Sequence, residues 1–148
     1  MIDYNLDELM SHKRTMRLID RVISHDDKNI VAEVTINSNT TFFKKGVIPS
    51  WVGVEYAAQA VAAFSGICAK EKNEKNRVGF LLSCRRYKCT QSEFILGDVI
   101  EVHATEEFND DNMGGYNCAL YIRGAEVATV TLSAYIPDNI NDMVTGGL

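Results

Sequence analysis

The chain has 148 residues, 46% of them hydrophobic and 24% charged, and its formal net charge is −5. That length supports one domain with a full hydrophobic core, so residues 1–148 are read as a single domain. The acidic balance argues against a nucleic-acid backbone as partner. The opening Met-Ile-Asp-Tyr carries no signal-peptide pattern, and Cys68, Cys84, Cys89 and Cys118 lack the spacing of metal ligands. The cysteines are read as packed free thiols in a reducing compartment, with the cytoplasm as the expected location.

Residues 3–10 suggest a short helical turn. Met16, Leu18 and Ile19 then form an apolar patch among basic residues, and Asp26 to Asn29 make a turn. Ile30, Ala32, Val34 and Ile36 alternate with Val31, Glu33 and Thr35, which predicts a strand with one buried face. A loop through Phe42, Phe43 and Gly46 leads to the stretch that organises the chain. From Trp51 to Ala69 there is no proline, and the two polar side chains of any weight are Glu55 and Gln59. Four residues apart, they share one helical face. A helix that is apolar almost all round is either embedded in lipid or enclosed by protein. This one is short between charges and carries a carboxylate one turn in, so it reads as a core helix and not as a membrane span. Pro49 precedes it, and Ser50 can cap its first amides.

After the helix, residues 70–77 read as an exposed polar loop and residues 77–88 as a strand with Arg85 and Arg86 near its end. Gly97-Asp98 is a turn signal. From Val99 to Phe108, Ile100, Val102 and Ala104 oppose Glu101, His103 and Thr105. Residues 109–115 read as a polar turn region, and residues 116–123 and 125–135 as a hairpin about Gly124-Ala125. The last thirteen residues form a polar tail. One strand before the helix and four or so antiparallel strands after it predict an α+β domain, with a sheet covering the helix.

A sheet curled round one long helix resembles the hotdog fold, and the motifs make the resemblance specific. The chain is similar to the β-hydroxyacyl-[acyl carrier protein] dehydratases over nearly its whole length. Residues 11–22, Ser-His-Lys-Arg-Thr-Met-Arg-Leu-Ile-Asp-Arg-Val, match the family's N-terminal motif. Pro49, Glu55, Ala58 and Gln59 match its helix-start motif, and Gly97-Asp98 and residues 124–128 match its later turns. Pro-Ser-Trp-Val-Gly-Val-Glu-Tyr-Ala-Ala-Gln and Gly-Phe-Leu-Leu-Ser-Cys-Arg-Arg-Tyr look closer still to dehydratase-like proteins of aryl polyene lipid clusters.

Removing water from a 3-hydroxyacyl thioester requires a base near the C2 proton, an acid near the C3 hydroxyl and donors for the thioester oxygen. The resemblance implies that Glu55 is the catalytic carboxylate and that the backbone at Ser50 and Trp51 supplies oxyanion donors. It further implies substrate contacts from Thr41, Gln59, Phe80, Arg85 and Arg86, the arginines meeting phosphopantetheine or an acidic carrier protein. No metal or cofactor is implied beyond the phosphopantetheine on the substrate. The implied partner is an acyl carrier protein or acyl thioester, and the implied assembly is a homodimer or a set of dimers.

One position departs from the pattern. The family's loop histidine stands eight residues before the motif proline, where this chain has Thr41, and no histidine occurs between His25 and His103. Threonine is no base near neutral pH. Three readings therefore stand: a dehydratase, a non-catalytic hotdog partner of a catalytic relative, or a thioester hydrolase. Glu55 is also open to a structural reading, as a buried carboxylate satisfied by Arg85, Arg86 or Tyr87. Gln59 is open to the role of a satisfied helix amide. His12 falls on a mainly structural family position, and His103 on a solvated strand face.

Overall fold

The computed structural model describes residue 6 and residues 17–71, 80–110 and 112–135, without the side chains of residues 80–82. The turn expected at 3–10 (Leu6 apart), His12, the Phe80 side chain, most of the 70–77 loop and the polar tail lie outside the described residues.

Every second residue of strand β2 (Asn29–Thr35) is apolar and buried: Ile30, Ala32 and Val34, with Ile36 continuing the series. The same alternation builds β6 (Val99–Asp110), β7 (Met113–Ile122) and β8 (Ala125–Tyr135). With β1 (Arg21–His25) and β4 (Phe80–Cys89) they form one antiparallel sheet in the order β1-β2-β6-β7-β8-β4. Two three-residue strands, β3 (Val47–Pro49) and β5 (Glu93–Ile95), pair separately beside the start of the helix.

Helix α1 (Val52–Glu71) lies on this sheet and buries Val52, Tyr56, Val61, Phe64 and Ile67. Each such side chain stabilises the fold by about 1.5–3 kcal/mol on burial. Ala57, Ala60 and Ala63 are fully enclosed and let the strands approach the helix axis closely. The Phe64 ring meets Tyr116 edge-on at 6.4 Å. The helix is long and apolar enough to cross a membrane, but 67% of that apolar window is buried inside the protein. It is a core helix, and the arrangement is the hotdog fold.

Four local expectations are corrected. Two further strands, β1 and β3, precede the helix, and β5 follows it. A bulge between Val22 and Ser24 breaks the alternation in β1, and three residues are too few to show a period in β3 or β5. The helix runs on through Lys70 and Glu71 into the segment read as loop. The 109–115 stretch is mostly strand. A Cβ on Gly115 would stand 2.1 Å from Phe108 Cε1, so this glycine leaves room for an aromatic ring across the ladder. Arg123 and Gly124, both at positive φ, form the tight turn of the last hairpin. None of Cys68, Cys84, Cys89 and Cys118 is in a disulfide, and burial pushes the Cys118 thiol up to about 12.

Candidate functional site

Glu55 lies in the first turn of α1, on the helix's less buried stripe with Val54, Ala58, Ala62 and Ser65. Its Oε1 accepts a hydrogen bond from Gln59 Nε2 at 3.2 Å. Gln59 is fully buried, and its own Oε1 accepts the amides of Leu18 at 2.6 Å and Ile19 at 3.4 Å. The glutamine therefore ties the N-terminal segment to the helix and presents its NH2 group to the carboxylate. A satisfied amide of this kind fixes the rotamer of its acidic neighbour.

Ser50, immediately before the helix, is held at both ends of its backbone. Its N–H donates to the Ser92 carbonyl at 3.0 Å, and its carbonyl accepts both the Gly53 amide at 3.0 Å and the Tyr87 hydroxyl. The cap expected from the Ser50 side chain is thus made by its carbonyl. Val54 N–H donates to Trp51 at 3.2 Å. Among the described residues, the N–H groups of Trp51 and Val52 have no backbone acceptor. Such orphan amides at a helix N-terminus favour an anionic oxygen. Trp51 itself is 58% exposed, and its ring meets Phe42 edge-on at 5.4 Å. This contact brings the 41–46 loop against the helix start, with Thr41 exposed on it. Phe42, Lys45 and Gly46 all take positive φ there.

Tyr87 reaches Ser50 because of an irregularity in β4. Arg85 faces Thr131 and Lys88 faces Thr129, which leaves one extra residue on β4. That residue is Arg86, at φ 57, a left-handed backbone that costs a side-chain-bearing residue on the order of 1 kcal/mol. The bulge reverses the alternation, so Tyr87 turns toward the helix. Its hydroxyl lies so close to Gly53 that a Cβ there would meet it at 2.4 Å, and Leu120 Cδ1 at 2.8 Å. Burial pushes the Tyr87 hydroxyl up, so it stays neutral and donates.

The structure gathers Ser50, Trp51, Glu55 and Gln59, with the Thr41 loop alongside. It does not bring Arg85 and Arg86 to them. Both are exposed on β4, and Arg86 lines, with Lys88, His103 and Thr131, a groove of about 470 Å³ on the sheet face away from α1. His103 bonds Glu101 at 3.1 Å there, and its ring lies 4.5 Å from that of Tyr121 at a tilt of 55°. Gly97-Asp98 is a structural turn: Asp98 is buried and its carboxylate accepts the Ile95 amide at 2.9 Å. Sequence reasoning missed the Ser50 clamp by Tyr87 and Ser92. Gly53, the second residue of an apolar helix, was its one visible signal. Among the described residues, no cluster of three His, Cys, Asp or Glu side chains is placed to hold a metal.

Comparison with known proteins agrees with this geometry. The 3-hydroxyacyl-[acyl-carrier-protein] dehydratase FabZ of Sinorhizobium fredii (strain NBRC 101917 / NGR234) is 25% identical over 134 residues, covering 86% of this chain and 84% of that protein. Its counterpart in Rhizobium etli (strain CIAT 652) is 23% identical, covering 87% and 84%. The dehydratase heterocomplex ApeI:P from Xenorhabdus doucetiae superposes with a TM-score of 0.91 and 25% identity, covering 97% of each chain. A sequence model described as ApeP dehydratase matches residues 4–145, and the chain belongs to that ApeP-like family.

Proposed function

We propose that this chain removes water from 3-hydroxyacyl thioesters carried by an acyl carrier protein, in the cytoplasm, during fatty acid or polyene chain building. The observation that carries the reading is Glu55, a half-buried carboxylate fixed by Gln59 one turn beyond two orphan amides. In this reading the thioester oxygen takes the Trp51 and Val52 N–H groups, which hold the enolate charge as it develops. Glu55 removes the C2 proton, the electron pair forms the C2–C3 double bond, and the C3 hydroxyl leaves as water after taking a proton. Membership of a dehydratase family supports the same chemistry.

The proton for the leaving hydroxyl needs a second protic group, and Thr41 in the place of the family's histidine does not supply it. We assign it to a second copy of this chain, in the homodimer that the sequence resemblance implies. The helix stripe of Val54, Ala58 and Ala62 is left half-covered, and among the described residues the ten-residue β4 is the edge strand of the sheet, against five residues for β1 at the other edge. The heterocomplex formed by the Xenorhabdus protein supports such pairing.

The exposed Thr41 also favours a second reading, in which the chain is the non-catalytic half of a pair with a catalytic dehydratase. A thioesterase from Pseudomonas aeruginosa shares the fold at a TM-score of 0.62 and 14% identity, which bears on architecture alone. Incubation with carrier-bound 3-hydroxyacyl substrates, read by mass, separates the three. Loss of water supports dehydration, release of free acid supports hydrolysis, and no change in the purified chain supports the partner reading.

A further inference from the structure

We propose that Tyr87 is a positioning residue: by clamping the Ser50 carbonyl it sets the direction of the Trp51 and Val52 amides and the place of the Trp51 ring. As a role in catalysis this rests on the dehydratase reading; as a mechanical role it stands alone. Three independent features of the fold converge on the Tyr87 hydroxyl. Arg86 occupies a left-handed conformation that turns Tyr87 inward. Gly53 omits the Cβ that would collide with the hydroxyl. The Ser50 carbonyl, already taking the Gly53 amide, accepts the phenol as a second donor. A backbone conformation that costs energy and a glycine at a helix start serve one hydrogen bond, and strain of this kind collects at working sites.

Ser50 is thereby fixed from one side of the molecule. Its N–H is held by Ser92, just beyond β4, and its carbonyl by Tyr87 within β4. The peptide plane that follows carries the Trp51 N–H, so a rotation about Ser50 swings that donor directly. A misplacement of about 1 Å at such a donor costs on the order of a hundredfold in rate. The clamp reaches the reacting atoms through Trp51 and Val52 and does not touch them itself.

Trp51 is the single tryptophan of the chain, so its fluorescence reports on this spot without any substrate. The test compares the parent, Tyr87→Phe, Gly53→Ala and the double variant by tryptophan anisotropy, thermal midpoint and turnover of a carrier-bound 3-hydroxyacyl thioester. Tyr87→Phe keeps the ring and removes only the donor. It is expected to lower Trp51 anisotropy and cut kcat by about ten- to a hundredfold, with KM within about twofold and a midpoint near the parent's. Gly53→Ala is expected to be milder in the Tyr87→Phe background, because the atom it meets first is gone. Unchanged anisotropy in Tyr87→Phe, or strictly additive effects of the two substitutions, overturns the clamp. Lowered anisotropy in a protein whose parent form turns over no thioester upholds the clamp and removes the dehydratase reading.

Discussion

The side-chain carbonyl of Gln59 accepts the Leu18 amide at 2.6 Å, joining positions 41 residues apart in the chain. Two backbone amides that precede β1 have no strand partner of their own and depend on this buried oxygen. Replacing Gln59 with Leu keeps the bulk and strands both donors. We expect a loss of about 1–3 kcal/mol, read from urea unfolding as a lower midpoint at constant slope. Stability equal to the parent's would show that the N-terminal segment is held by something else.

Tyr56 makes the opposite case. It is fully buried against Phe94, with ring centroids 6.2 Å apart, and its hydroxyl has no hydrogen-bond partner among the described residues. Tyr56→Phe therefore removes an unmet polar atom and is expected to leave stability unchanged or raise it by about 1 kcal/mol. A loss of that size would instead identify a water bound to the phenol.

Glu55→Gln keeps the shape and the contact with Gln59 but ends proton transfer. Turnover of a confirmed substrate is expected to fall on the order of a hundredfold or more, with binding little changed. Thr41→His places an imidazole on the loop beside Trp51, where the sequence resemblance implies a histidine. In a dehydratase working with an imperfect site it should raise the rate, and in a dedicated partner it should do nothing.

Asp26 accepts the amides of Lys28 and Asn29, each at 2.9 Å, and the Asn29 side chain. The Lys28 backbone bond, first among these, holds its carboxyl below the ordinary aspartate value. A group lowered in the folded state contributes stability above its unfolded pKa and loses it as the pH falls through the folded one. Asp26→Ala should therefore destabilise the protein near neutral pH and make little difference in strong acid. Paired unfolding curves at the two pH values check this, and equal penalties at both would contradict it.

The core was legible before the structure, because burial follows composition. The alternation from Ile30 to Ile36 and the all-apolar stretch from Val52 onward each admit one packing. Glu55 stood out for the same reason, as a carboxylate where nothing else is polar. What stayed hidden depends on backbone geometry. A left-handed Arg86 leaves no compositional mark, yet it decides which way Tyr87 faces. Which sheet face Arg85 and Arg86 take is set by the same bulge and is not visible in the sequence. Gln59 was visible as a position and not as a partner, since the amides it accepts, those of Leu18 and Ile19, lie 41 and 40 residues earlier in the chain.

The sheet order has a consequence for the protein while it is being made. Strands β6, β7 and β8 are successive neighbours and can zip together as they leave the ribosome. Strand β2 can pair with β1 at once but not with β6, because Asn29 must wait for Thr105, synthesised 76 residues later. The apolar helix emerges in that interval, before most of the sheet that will cover it. A nascent chain of this topology carries its stickiest segment uncovered until its last third is made, so slow translation or a stall after Glu71 exposes it to aggregation, and chaperone capture falls in that window.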